Sequence, residues 1–87
     1  MKFEDLYVSR EDRYSIGQEL ESKRFYISIP VSNGLIDYEE YYEIDKKLAD
    51  LYPDSKAEII DIVVKCRERK NDENLIIKPG KNRGVAT

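Results

Sequence analysis

Between Asp37 and Asp45 the chain sets five carboxylates, Asp37, Glu39, Glu40, Glu43 and Asp45, among Tyr38, Tyr41 and Tyr42. Such a set serves three chemistries: paired carboxylates exchanging a proton, oxygen ligands around a hard cation, or an anionic face for a basic partner. The spacing rejects the cation, because a calcium loop needs a central glycine and fixed ligand positions that this run lacks. Glu39 and Glu43 are the pair that could do acid–base work, but no pocket follows from so short a chain, and charge runs most often form a solvated face.

Other chemistry is thinly supplied. The sequence has no His, so serine–histidine, cysteine–histidine and the usual zinc sites are not expected, and the single Cys66 has no partner for an internal disulfide. Cys66 reads as core volume. Gly80-Lys81 lacks the preceding glycine of a phosphate loop, and Gly34 stands alone. These absences point to a non-enzymatic protein with no cofactor and no bound metal.

Charge is distributed unevenly along the chain. From Ile36 to Asp61 nine acids face three lysines, a net −6, whereas from Lys65 to Arg83 seven bases oppose three acids, a net +4. An acidic segment of this kind can steer a basic protein toward it, with Asp37, Glu39, Tyr41 and Glu43 as the contact residues and tyrosine supplying contact area at low entropic cost. The alternative is nucleic-acid binding through Arg67, Arg69, Lys70, Lys78, Lys81 and Arg83, which would neutralise phosphates from a basic helix end and tail. Against that alternative stand the net charge of −3 and the lack of the aromatic-rich motifs of sheet-type RNA readers.

The elements that must hold these residues can be read from periodicity. Eighty-seven residues make one small domain, placed at 1–80, with 81–87 as a mobile basic tail. Arg13 to Leu20 alternates as a first strand, and Phe25, Ile27, Ile29 and Val31 alternate against Tyr26 and Ser28 as a second. Pro30, without an amide hydrogen, marks a place where that strand has an unpaired side or is ending. Asn33-Gly34 accepts the positive φ of a type I′ turn, so Leu35 onward folds back. The returning run is favoured as a strand to about Glu43, with Ile36, Tyr38, Glu40, Tyr42 and Ile44 inward; a core-side Glu40 then needs a bulge or a partner. The helical alternative has Asp37 and Glu40 at capping-box spacing.

A short helix is expected near 45–52, ended by Pro53, and a long one near 55–70. Ser55-Lys56-Ala57-Glu58 has capping-box spacing, and Ile59, Ile60, Val63, Val64 and Cys66 form an apolar face. Leu75-Ile76-Ile77 reads as a short strand near 75–78, with Pro79-Gly80 as a breaker. The fold class is therefore α+β: a three-stranded antiparallel meander at 13–20, 24–31 and 35–43 packed by one long helix, plus a short helix and a short C-terminal strand. Phe25, Ile27, Ile29, Ile60 and Val63 are the expected core.

The segments RYSIG (13–17), ISIPVSNGLIDYEEYYEI (27–44), CRER (66–69) and NLIIKPGKNRG (74–84) resemble a family of small bacterial proteins with a similar order of motifs and no established activity. The resemblance covers about half the chain and implies a bacterial single-domain protein, with no site residue carried over. Size and acidity are also similar to those of immunity proteins that neutralise nuclease toxins. With no apolar run of signal-peptide or membrane-spanning length, a soluble cytoplasmic protein is the expectation.

Overall fold

In the computed structural model, which describes residues 1–87, four antiparallel strands follow one another across a sheet: β1 (Phe3–Ser9), β2 (Tyr14–Glu19), β3 (Phe25–Ser32) and β4 (Asp37–Ile44). Two helices come next, α1 (Lys46–Leu51) and α2 (Lys56–Arg67), then a 3-10 turn at Asp72–Asn74 and a short β5 (Val85–Ala86) that pairs with β3. The α+β class and the single main helix agree with the periodicity. The sheet is larger than the expected meander, whose three strands are β2, β3 and β4.

Alternation on β3 and β4 separates two faces. Ile27, Ile29 and Val31 share one face with Ile16 of β2 and with Tyr42 and Ile44 of β4, and against them pack Ile59, Val63 and Cys66 of α2. Each of these side chains is nearly or wholly removed from water, and a fully buried Ile or Val is worth about 1.5–3 kcal/mol relative to its exposed state. Of the five expected core residues, Ile27, Ile29 and Val63 are buried. Phe25 and Ile60 lie partly exposed at the rim of the same cluster. Val64 is 47% exposed, because α2 turns toward the sheet the stripe through Ile59, Val63 and Cys66, flanked by Ile60 and Ile62.

Several local expectations change. Ser55 precedes α2 with φ −84° and ψ 10°, short of the extended geometry that lets an N-cap side chain reach back to an amide, and its hydroxyl donates instead to the Leu48 carbonyl at 2.7 Å. The hydroxyl thus ties α1 to α2. No strand forms over 75–78: Leu75 makes a single bridge to Tyr42, Ile76 donates its amide to the Tyr41 carbonyl, and the chain then leaves the sheet.

The residues read as a mobile tail are seated against the domain. Val85 and Ala86 pair with Ser32 and Val31, and the Thr87 amide donates to the Pro30 carbonyl at 3.2 Å. Pro30 therefore has β4 on one side and the last residues of the chain on the other, and its missing amide falls where β2 has already ended. Gly84 lies so close to Ser32 that a Cβ there would stand 2.6 Å from the Ser32 carbonyl oxygen.

Candidate functional site

On β4 the favoured strand reading holds from Asp37 onward, but Ile36, expected inward, lies in the preceding turn and is exposed. Asp37, Glu39, Tyr41 and Glu43 alternate with Tyr38, Glu40, Tyr42 and Ile44, and the latter set turns toward α2. Asp37, Glu39 and Glu43 are exposed, while Tyr41 is half-buried. The four expected contact residues thus share the helix-free face of the sheet.

Tyr41 is committed to packing within that face. Its ring stacks on Phe3 at 3.8 Å between centroids, and both rings stand edge-on to Tyr26, at 4.9 Å from Tyr41 and 5.5 Å from Phe3. Edge-to-face contacts of this kind add about 0.5–1.5 kcal/mol beyond area burial. Tyr26, which alternates away from Ile27 and Ile29, is nevertheless completely buried. Its hydroxyl crosses over Gly17 of β2 and donates to Asp5 Oδ1 of β1 at 2.6 Å, a reach that the missing Gly17 side chain permits.

Around the aromatic group lie the acids. Glu39 accepts from the Ser28 hydroxyl at 3.1 Å, and although the residue is exposed its carboxyl is raised above the ordinary range, mainly by partial desolvation against the sheet, with the Ser28 bond opposing. Burial also raises the Tyr41 phenol, helped by the nearby charges of Glu39 and Asp5. Glu43 meets Arg24 at 3.5 Å in a partly exposed pair, and Asp37 has no ion-pair partner. A cavity of about 330 Å³ adjoins Glu39, bounded by Val8, Arg13, Ser15 and Pro30. No three of the Cys, Asp and Glu side chains gather closely enough to hold a metal ion.

Phe3 and Asp5 belong to this surface and were missed in the sequence reading. The available signal was the period-two spacing of Phe3 and Asp5, hidden because the register of β1 shifts between Asp5 and Tyr7.

The inward Glu40 has its partner. Arg83 Nε lies 2.7 Å from Glu40 Oε2, Arg83 also grips Asp72 at 2.8 Å, and Tyr42 donates its hydroxyl to Glu40 Oε1 at 2.8 Å. Those bonds hold Arg83 firmly protonated and pull the Asp72 carboxyl below its usual range. Gly84, next in the chain, donates its amide to the Tyr38 hydroxyl at 2.7 Å.

The six bases of the nucleic-acid alternative are scattered in role. Arg83 is spent on Glu40 and Asp72, Arg67 donates to the Thr87 carbonyl, Arg69 to the Gly84 carbonyl, and Lys70 pairs with Glu68 at 3.4 Å. Lys78 and Lys81 are exposed with no ion-pair partner of their own. Three of the arginines thus hold the last residues of the chain in place.

No family model, curated protein or solved structure matches this chain. The chemistry of the surface therefore carries the functional reading. No helix of the chain is long and apolar enough to cross a membrane.

Proposed function

We propose that this chain is a non-enzymatic protein-binding module, of the immunity or antitoxin-inhibitor type, that meets a basic protein with the helix-free face of its sheet. The observation that supports the reading is the shared orientation of Asp37, Glu39 and Glu43 on β4, flanking an aromatic group made by Phe3, Tyr26 and Tyr41. Exposed carboxylates beside the partly exposed rings of Phe3 and Tyr41, which rest on the buried Tyr26, suit an interface: the charges steer encounter, and the two outer rings add contact area with few rotamers to freeze. Of the three acids only Glu43 has an ion-pair partner, and that pair is partly exposed and cheap to exchange. The inhibitor class rests on small size and acidity together with the absence of His-based chemistry.

The experiment is co-purification with the products of neighbouring genes, followed by association kinetics of the recovered partner. Wild-type association is expected to slow as salt rises, because screening acts over about 8–10 Å at physiological ionic strength. Glu39→Lys with Glu43→Lys is expected to slow it at low salt by at least tenfold. Equal rates for this variant and wild type across all salt concentrations would remove the acidic-face reading. Recovery of RNA or DNA instead, with affinity lost on Lys78→Ala and Lys81→Ala, would favour the nucleic-acid alternative.

A further inference from the structure

The two edges of the sheet differ. On β1 the pairing register shifts between Asp5 and Tyr7, and a bulge of this kind twists an edge away from further pairing. On β4 the register with β3 runs without a shift from Asp37 to Ile44. The outer side of β4 receives only one short visitor, where Leu75 bridges Tyr42 and Ile76 donates its amide to the Tyr41 carbonyl at 2.9 Å.

That one bond fixes the direction of the backbone groups along β4. In an antiparallel ladder a residue's N–H and C=O point to the same side, and the side alternates from residue to residue. Since the Tyr41 carbonyl faces away from β3, so do its amide and the amide and carbonyl of Glu39 and Asp37. Past Ile76 the chain swings off the strand, and the loop from Ile77 to Asn82 forms the far wall of a groove of about 470 Å³ whose near wall is Tyr38–Tyr41. That volume lies within the range of sites that enclose a bound ligand. Within the chain no backbone group crosses the groove to Glu39.

The geometry points to the outer edge of β4 as the place where a partner adds a strand. An extended segment of the partner enters the groove along Asp37–Glu39, short of the place that Ile76 holds opposite Tyr41, and pairs antiparallel with it, satisfying the free groups of Asp37 and Glu39; the added chain gains affinity from main-chain bonds and specificity from alternate side chains. Its side chains on the helix-free face become the cross-strand neighbours of Asp37 and Glu39, so the segment carries Lys or Arg at those alternate positions, while Lys78 and Lys81 on the far wall disfavour bases at the positions between. This basic character rests on the acidic-face reading proposed above. The strand pairing does not.

The test uses the full chain, ¹⁵N-labelled, and three synthetic peptides: Lys-Val-Lys-Val-Lys, the same peptide N-methylated at its lysines, and Glu-Val-Glu-Val-Glu. Saturation with the first is expected to slow hydrogen exchange of the Asp37 and Glu39 amides at least tenfold, and N-methylation, which keeps the charge and removes the strand donors, is expected to weaken binding at least tenfold. Equal binding of the N-methylated peptide, unchanged exchange at Asp37 and Glu39, or no binding of the first peptide would each overturn the strand pairing. Equal protection by the glutamate peptide supports the pairing and removes the acidic-face reading instead.

Discussion

Arg83 Nε stands 2.7 Å from Glu40 Oε2, so a base near the far end of the chain neutralises the carboxylate that β4 turns into the core. Side-chain exposures of 13% and 7% leave little water to take over that role. Removing one partner of such a pair strands a charge in low dielectric, which costs about 3–5 kcal/mol, whereas replacing both by apolar residues of similar volume is often neutral. Arg83→Met is therefore expected to lower the unfolding free energy by about 3–5 kcal/mol in urea denaturation, and Arg83→Met with Glu40→Leu to recover most of the loss. Wild-type stability for the single variant would contradict the pairing.

Gly17 lies beneath the Tyr26 hydroxyl on the helix-free face, and a Cβ there would collide with that hydroxyl and with the Glu4 carbonyl oxygen. The carbonyl belongs to the paired β1 backbone and cannot step aside cheaply. Gly17→Ala is expected to destabilise by about 1–3 kcal/mol, the usual cost of overpacking, and to weaken the Tyr26–Asp5 bond. Thermal denaturation checks the first effect. An unchanged melting temperature would mean that the Tyr26 ring does not cross β2 at Gly17.

Glu19 supplies an acid-side dependence. The Ser22 hydroxyl, followed by the Lys2 amide, holds its carboxyl down from an ordinary 4.5 to about 2. A carboxyl lowered by folding contributes its full stability above the unfolded value and loses it as pH falls through the folded one. Stability should thus decline between about pH 4.5 and pH 2, and Glu19→Gln should flatten that decline while lowering stability at pH 7. Asp72, also lowered through Arg83, accounts for a share that the variant retains. Denaturant titrations at a series of pH values that superimpose for wild type and variant, apart from a constant offset, would contradict the assignment.

Cys66 is buried against the sheet, and burial pushes its thiol up to about 11. The thiolate is the reactive species, so the native protein at pH 8 should resist an aromatic disulfide reagent and label only as fast as it opens. Urea should raise the labelling rate in step with the unfolded fraction. Stoichiometric labelling within seconds under native conditions would show an exposed thiol.

What the amino-acid order reveals follows the range of the interaction. The β3–β4 hairpin is legible because the alternation through Ile27 and Ile29 is a local signal and Asn33-Gly34 marks the reversal, though the turn is not type I′: it takes four residues, 33–36, and only Gly34 of the Asn33-Gly34 pair has positive φ; α2 is legible from Ile59, Val63 and Cys66. β1 is not, because FEDLYVS mixes charge with apolar residues and its register shifts between Asp5 and Tyr7. β5 is two residues long and exists only because β3 offers it an edge beyond the end of β2. The need for a partner at Glu40 is visible from its inward position, yet Arg83 lies 43 residues away, and no single sequence says which distant base will arrive. For the candidate surface, alternation sorts Asp37, Glu39, Tyr41 and Glu43 onto one face; the stack of Tyr41 on Phe3 needs three dimensions.

The distance between Glu40 and Arg83 also sets an order of events during synthesis. Translation at about 5–20 residues per second delivers the carboxylate roughly 2–9 s before the guanidinium that neutralises it. Through that interval β4 can pair with β3, but the nascent sheet carries an uncompensated negative charge on the side that must be dried against α2. A chain that stops before Arg83 leaves that carboxylate without its base, whereas one that reaches Arg83 pairs it. The pair therefore makes the drying of the core face of the sheet wait for a residue synthesised 43 positions later.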